Sequence, residues 1–162
     1  MLVELLEWKK QDLSPIGKIV KVFGEPGDHQ TELDSIIAKN EITIDFSQEV
    51  KDYTELISEK IENKEIKQRR DFREKTTFTI DPIDAKDFDD ALSFEKIDEN
   101  KFEIGIHIAD VSHYVKSSTI LDKEAYNRAT SIYLVDRVIP MLPEKLSNKV
   151  CSLRPNEDKL TF

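Results

Sequence analysis

Cysteine, glycine and long apolar runs are all scarce in this sequence. The single cysteine, Cys151, excludes an internal disulfide framework and a thiolate zinc cluster. Four glycines and six prolines in 162 residues are too few for a low-complexity chain. No apolar run approaches the ~20 residues of a membrane span. The amino terminus, MLVELLEWKK, lacks the basic start and apolar core of a secretory signal. We therefore expect a globular protein of the reducing cytoplasm, with no membrane partner.

Basic residues are also in the minority. The sequence has 24 Lys and Arg against 33 Asp and Glu, which gives a formal net charge of -9. A protein that only held nucleic acid by its phosphates would usually be basic, so this charge taken alone argues against RNA or DNA as a partner. It does not exclude a nuclease site, because such sites concentrate carboxylates to hold cations. The position of the acidic residues therefore matters more than their number.

The first third of the chain predicts two strands followed by helices. Apolar runs rich in Val and Ile at 2–7 and 16–23 are bounded by turn residues, which is typical of strands. Apolar residues at helical spacing predict a short helix over 31–39 and a longer one over about 47–67. An isolated pair of strands is only marginally stable, so we expect this chain to be part of a longer protein.

The segment 62–75 is strongly charged, and we place a domain boundary near residue 70. The simpler interpretation is a solvated helix end and linker. The alternative is that Arg69, Arg70 or Arg73 contacts phosphate groups.

Alternation of apolar and polar residues predicts sheet in the second half. Strands are expected around 78–80, 92–95 and 102–108, with a hairpin turn at 98–100. Further elements are expected along the rest of the chain: a helix over about 119–130 capped by Thr119 with Asp122, a short strand over 131–136, and irregular structure from 137 to 162.

An unusual density of aspartates marks residues 81–90. The five are Asp81, Asp84, Asp87, Asp89 and Asp90, within TIDPIDAKDFDDALSF. Asp81 follows one predicted strand and the last three precede the next, so the connecting loop lets these carboxylates converge. Converging like charges need a cation, and hard oxygen ligands suit Mg²⁺ or Mn²⁺. Two such ions ~4 Å apart can promote phosphodiester hydrolysis. The alternative is an inert acidic surface loop; a helix-loop-helix calcium site lacks its glycine and distal glutamate here.

Three longer stretches occur in a characteristic order: DPIDAKDFDDA, IGIHIADVSHYV and ATSIYLVDRVIPMLPEKLSNKVCSLRP. They resemble the amino-terminal part of the catalytic domain of the ribonuclease II / ribonuclease R family, over residues 71–162. The earlier VELLEW and GKIVKVFGEPGD resemble the end of the cold-shock domain that precedes it, and the bacterial ribonuclease R branch matches best. The resemblance implies an α+β chain: the end of an OB-like cold-shock β-barrel (1–45), a helical linker (46–70), and the first mixed β/α part of the catalytic domain (71–162).

The resemblance also implies residue roles. Asp81, Asp87, Asp89 and Asp90 match the four aspartates of the family's magnesium-binding centre, and Asp84 is left with a supporting or structural role. Tyr133 matches a tyrosine that stacks against a nucleobase near the RNA 3′ end, which suits a sequence-tolerant enzyme because every base has a π face. Without the resemblance, an ordinary half-buried strand aromatic would be preferred for Tyr133.

The family consists of processive 3′-to-5′ exoribonucleases that hydrolyse single-stranded RNA to nucleoside 5′-monophosphates. The resemblance therefore implies a magnesium-dependent enzyme, with Mn²⁺ as a possible substitute. The family's catalytic arginine and glutamate, and most of its RNA channel, correspond to sequence beyond residue 162, so the chain alone is expected to be inactive. Two alternatives stay open: an OB-like nucleic-acid-binding module, and a non-catalytic relative with an inert acidic loop.

A few other residues carry groups that can take part in chemistry. His107 and His113 lie near Asp110 in the sequence, but strand alternation separates His107 from Asp110, so structural roles are preferred. Cys151 is expected to be a small apolar filler, because nothing nearby would act as its base. Trp8 and Phe23 are expected to pack in the core rather than stack RNA.

Overall fold

A computed structural model describes residues 1–8, 14–83 and 85–162 of the chain. They form two compact units, Met1–Asp45 and Phe46–Phe162. The strands are β1 (Leu2–Leu5), β2 (Gly17–Lys21), β3 (Thr76–Phe78), β4 (Asp90–Asp98), β5 (Lys101–Ile108), β6 (Ile132–Tyr133) and β7 (Val138–Ile139). The helices are α1 (His29–Lys39), α2 (Gln48–Glu55), α3 (Asn63–Gln68), α4 (Val111–Tyr114) and α5 (Ile120–Arg128), and a wider helical turn spans Lys145–Val150. None of the helices in these described stretches is long and apolar enough to cross a membrane.

The first unit consists of an antiparallel pair, β1 and β2, followed by α1. Both strands are exposed along their length, and Val3 pairs with Ile19 in their register. The α1 helix begins at Asp28, whose side chain accepts a hydrogen bond from the Thr31 N–H and satisfies an otherwise unpaired donor. The two predicted strands and the predicted helix are confirmed, with the strands shorter than expected. Trp8 is exposed, contrary to the core position expected for it.

The second unit starts with two short helices where one long helix was predicted over 47–67. That prediction is wrong, because α2 ends at Glu55 and α3 begins only at Asn63. Between them the Ser58 hydroxyl bonds both the N–H and the C=O of Lys60. Such a local side-chain bond offers the backbone an alternative to helix and interrupts it.

A three-stranded antiparallel sheet, ordered β3-β4-β5, forms the centre of the second unit. The predicted strands and the hairpin that joins β4 to β5 are confirmed. One face of the sheet buries polar side chains, Ser93 and His107, and the other exposes aromatic ones. Phe94 and Phe102 are stacked on each other on the exposed face. Gly105 is required here, because a Cβ on it would lie 2.3 Å from Ser93 Oγ and 2.8 Å from His107 Nε2.

The core of the second unit lies beside this sheet. Helix α2 packs against α5, which begins at Thr119 as predicted, with the Thr119 side chain accepting from the Asp122 N–H. Leu121 and Leu146 are the most deeply buried large side chains, each 0% exposed. They belong to a cluster of buried apolar residues whose removal from water stabilises the unit.

The segment from residue 131 onward is more regular than predicted. Only Ile132–Tyr133 of the expected strand 131–136 is extended, because the Leu134 N–H bonds the Arg137 C=O and turns the chain back into β7. Within 137–162, the Cys151 N–H bonds the Leu146 C=O, five residues earlier, and closes the wider helical turn. Leu146 and Val150 are both buried, and their burial stabilises the turn. The prolines of this segment make irregular structure the conformation expected from the sequence.

Candidate functional site

The acidic residues lie in the connection between β3 and β4. Asp81 follows β3, Asp87 and Asp89 precede β4, and Asp90 is the first residue of β4. Asp84, for which a supporting role was expected, lies outside the described residues. The described residues of this connection form no helix or strand before β4, and its proline is typical of such a loop.

The four predicted aspartates interact through their charges, as the pKa of Asp89 indicates. Partial desolvation raises the pKa of Asp89, and the negative charges of Asp87, Asp90 and Asp81 raise it further, in that order. The carboxylates of Asp81, Asp87 and Asp90 thus lie close enough to Asp89 for their negative charges to act on it. Across the described stretches, no three His, Cys, Asp or Glu side chains are close enough together to form a ready ligand set. The donor chemistry, hard carboxylate oxygens in mutual repulsion, fits a divalent cation such as Mg²⁺ or Mn²⁺.

Tyr133 connects the acidic loop to the hairpin of β6 and β7. Its hydroxyl donates to Asp87 Oδ2 at 2.9 Å, and this bond raises the pKa of Tyr133. The side chain is nevertheless 66% exposed, so its ring has a free face beside the carboxylates. An exposed aromatic ring beside an acidic cluster can stack on a planar group while its hydroxyl stays bonded.

The backbone of the acidic loop is held by distant residues that the sequence did not indicate. The Leu153 N–H donates to the Phe88 C=O at 2.8 Å, and the Ala109 N–H donates to the Asp89 C=O at 2.9 Å. The buried Ser152 hydroxyl bonds the same stretch. No local signal identifies Ser152, because its partners lie 64 and 66 positions away along the chain.

The three arginines before β3 all bind carboxylates of this chain. Arg69 donates to Asp110 at 2.6 Å and to the Thr161 C=O at 2.8 Å. The others also form ion pairs: Arg70 makes a bidentate contact with Glu103, and Arg73 contacts Asp71 and Asp158. The segment has no buried residue, in agreement with a solvated helix end and linker, but its ion pairs tie it to the sheet and to the last residues. The guanidinium groups are also engaged within the chain rather than presented together to phosphate.

The two histidines do not form a site with Asp110. His107 Nε2 lies 2.8 Å from Ser93 Oγ, and burial lowers the pKa of His107, which keeps the ring neutral. His113 Nδ1 lies 3.6 Å from Glu65 Oε2, and Asp110 is occupied by Arg69. Cys151 is buried, and burial raises its pKa to about 11, so it is not a nucleophilic thiolate. The structural roles expected for these residues agree with this geometry.

Comparison with known proteins identifies both units. Residues 69–162 match the RNB domain, and residues 1–47 match a cold-shock domain. The chain is 44% identical over 164 residues to ribonuclease R of Thermotoga maritima and 49% identical over 146 residues to that of Aquifex aeolicus. These alignments cover 100% and 90% of this chain but only 23% and 21% of the relatives.

A solved structure shares the fold. Mycoplasma genitalium RNase R in complex with double-stranded RNA superposes with a TM-score of 0.87 at 30% identity, over 98% of this chain and 28% of that one. The chain therefore belongs to the RNB-domain family, with a cold-shock domain before the RNB domain. The resemblance to the ribonuclease II / ribonuclease R family and the α+β fold class predicted from sequence are both confirmed.

Proposed function

We propose that this chain carries the carboxylate half of the active site of a magnesium-dependent 3′-to-5′ exoribonuclease. The observation that carries the proposal is the negative field at Asp89, whose pKa is raised by the charges of Asp87, Asp90 and Asp81 as well as by burial. Such repulsion is costly unless a cation relieves it, and the relatives that align over this loop are named ribonuclease R. The chain spans about a quarter of the length of those relatives, and the activity is proposed for a protein that carries this segment together with the rest.

The four aspartates would hold Mg²⁺, or Mn²⁺ in its place, through carboxylate oxygens. Bound metal would supply an activated water and stabilisation of the leaving oxygen in phosphodiester hydrolysis. The chain's part is to fix the carboxylates, and the bonds from Leu153 and Ala109 hold the loop backbone for that purpose. The raised pKa of Asp89 means that this carboxyl group, without metal, would lose its charge at a higher pH than an isolated aspartate does.

Tyr133 would bind the substrate, single-stranded RNA, near the RNA 3′ end. Its exposed ring lies beside Asp87, through the hydroxyl bond, so a nucleobase stacked on it would place the adjoining phosphate near the carboxylates. Stacking tolerates every base, which suits processive release of nucleoside 5′-monophosphates in the cytoplasm. The RNA-bound state of the Mycoplasma genitalium protein supports RNA as the partner.

The test is Asp89→Asn in the full-length parent, with end-labelled single-stranded RNA and Mg²⁺. The substitution keeps the shape of the side chain and removes the charge that would hold a metal, so hydrolysis should be abolished while RNA binding is largely kept. Glu99→Gln is the control, because it removes a carboxylate from the exposed hairpin turn between β4 and β5. Loss of RNA binding in parallel with activity, in a folded variant, would contradict the proposal and favour a binding module.

A further inference from the structure

The hydroxyl of Ser152 lies in the interior beneath the acidic loop. Ser152 is 1% exposed, and its Oγ makes two hydrogen bonds to the loop backbone. It accepts from the Phe88 N–H at 3.0 Å and donates to the Lys86 C=O at 3.1 Å. These two peptide groups flank Asp87, so one buried oxygen fixes the backbone on both sides of that aspartate.

Neighbouring bonds extend the same restraint. The next two peptide groups accept from the Leu153 N–H and the Ala109 N–H. Every peptide group from Lys86 to Asp90 is thereby bonded to a residue outside the loop. A loop whose carboxylates repel one another would otherwise open, and a metal site needs its ligands held by a supporting shell.

We propose that Ser152 is a positioning residue that sets the backbone of Asp87 and so the metal affinity of the acidic loop. The inference rests on the proposed function, because it assumes that the loop binds a divalent cation. Asp87 is the aspartate that also accepts the Tyr133 hydroxyl, so Ser152 fixes the point at which the carboxylates and the stacking ring meet. A purely structural serine would satisfy buried backbone groups and affect only the stability of the fold.

Ser152→Ala removes both bonds with little change of volume, and Ser147→Ala is the matched control. Ser147 lies on the adjoining helical turn, and its buried Oγ has no hydrogen-bond partner among the residues that the structure describes. Mn²⁺ binding to the 162-residue chain is measured by the EPR signal of the free ion. We expect the dissociation constant to rise about tenfold in Ser152→Ala, equivalent to ~1.4 kcal/mol, and to stay unchanged in Ser147→Ala.

Amide hydrogen exchange tests, without any metal, whether Ser152 holds the backbone of the acidic loop. In Ser152→Ala the Phe88 amide should exchange about tenfold faster or more, while the Leu121 amide in the core keeps its protection. Unchanged exchange at Phe88, or unchanged Mn²⁺ affinity in a folded variant of a chain that binds Mn²⁺, would overturn the inference.

A second pair of variants covers the case in which Ser152→Ala does not fold. Ser152→Thr and Ser152→Val add the same bulk and differ only in the hydroxyl, so Thr should bind Mn²⁺ about tenfold more tightly than Val. Equal affinities for the pair would overturn the inference. If the unmutated chain itself takes up no Mn²⁺, the proposed function and the metal part of the inference both fail, while the Phe88 exchange still decides whether Ser152 holds the loop.

Discussion

Partial burial and the negative charges of neighbouring aspartates both act on the carboxyl group of Asp89. Its pKa is raised in the folded chain, so folding favours the protonated form. The stability from this group is present below the ordinary pKa and is lost as the pH rises through the raised pKa. At neutral pH the metal-free ionised carboxyl therefore destabilises the fold.

Asp89→Asn should consequently raise the melting temperature of the metal-free chain at neutral pH. We expect a rise of about 1–2 °C, kept small because solvent still screens this only partly buried carboxylate. Thermal unfolding at pH 7 with a chelator measures it, and the rise should disappear near pH 3. A melting temperature equal to or below that of the Glu99→Gln control would show that repulsion in the loop is negligible.

Tyr133 offers a second test at the scale of one residue. In the full-length parent, Tyr133→Ala removes a stacking platform of ~1–3 kcal/mol and should change the length of the final short product. Tyr133→Phe keeps the ring and removes only the bond to Asp87, so its end product should match that of the unmutated enzyme. Product lengths on a sequencing gel decide this, and an unchanged product from Tyr133→Ala would return Tyr133 to a structural role.

Among the elements, the segment before β3 is joined to the rest of its unit through Arg69. Asp110 caps α4 by accepting from the His113 N–H, and its side chain also binds Ser112 and Arg69. Burial opposes ionisation of Asp110, but these hydrogen bonds and the Arg69 charge hold its pKa below the ordinary value of 3.8. The ion pair therefore stabilises the fold at neutral pH, and that stability is lost as the pH falls below that value.

Arg69→Met should lower the free energy of unfolding by about 2 kcal/mol, because it leaves a largely buried carboxylate without its cation. Arg73→Met should lower the free energy of unfolding by clearly less than Arg69→Met does, since Asp71 and Asp158 are well exposed. Urea denaturation at pH 7 and pH 3 makes the comparison. Equal losses for the two variants, or a loss for Arg69→Met that is larger at pH 3 than at pH 7, would contradict the assignment.

The elements also show what could be predicted from sequence. Alternation predicted β4 and β5, and Thr119 with Asp122 predicted the start of α5, because periodicity and capping are local properties. The same local pattern predicted one helix over 47–67, where the Ser58 side chain interrupts it. The loop aspartates were identified by density and resemblance, whereas the Ser152 hydroxyl was not, because its bonds join residues brought together only by folding.

For the whole molecule, the chain spans only about a quarter of the length of the relatives that it matches. The relatives are several times longer, and the net charge of -9 should repel RNA at low salt. Catalysis of phosphoryl transfer depends on positioning as well as on metal, so the isolated chain should be nearly inactive even with Mg²⁺. Incubation with end-labelled single-stranded RNA tests this. Release of 5′-mononucleotides by the chain, but not by Asp89→Asn, would show that this segment is sufficient.

Binding of a divalent cation by the loop between β3 and β4 underlies both proposals. The most direct measurement is a Mg²⁺ titration of the chain followed by the amide NMR signals of residues 81–90, beside Asp89→Asn. We expect saturable shifts at millimolar Mg²⁺, confined to this loop and its bonded partners at Ala109 and Leu153, and none in the variant. Shifts that are absent, or that are equal in the chain and in Asp89→Asn, would contradict cation binding by the loop.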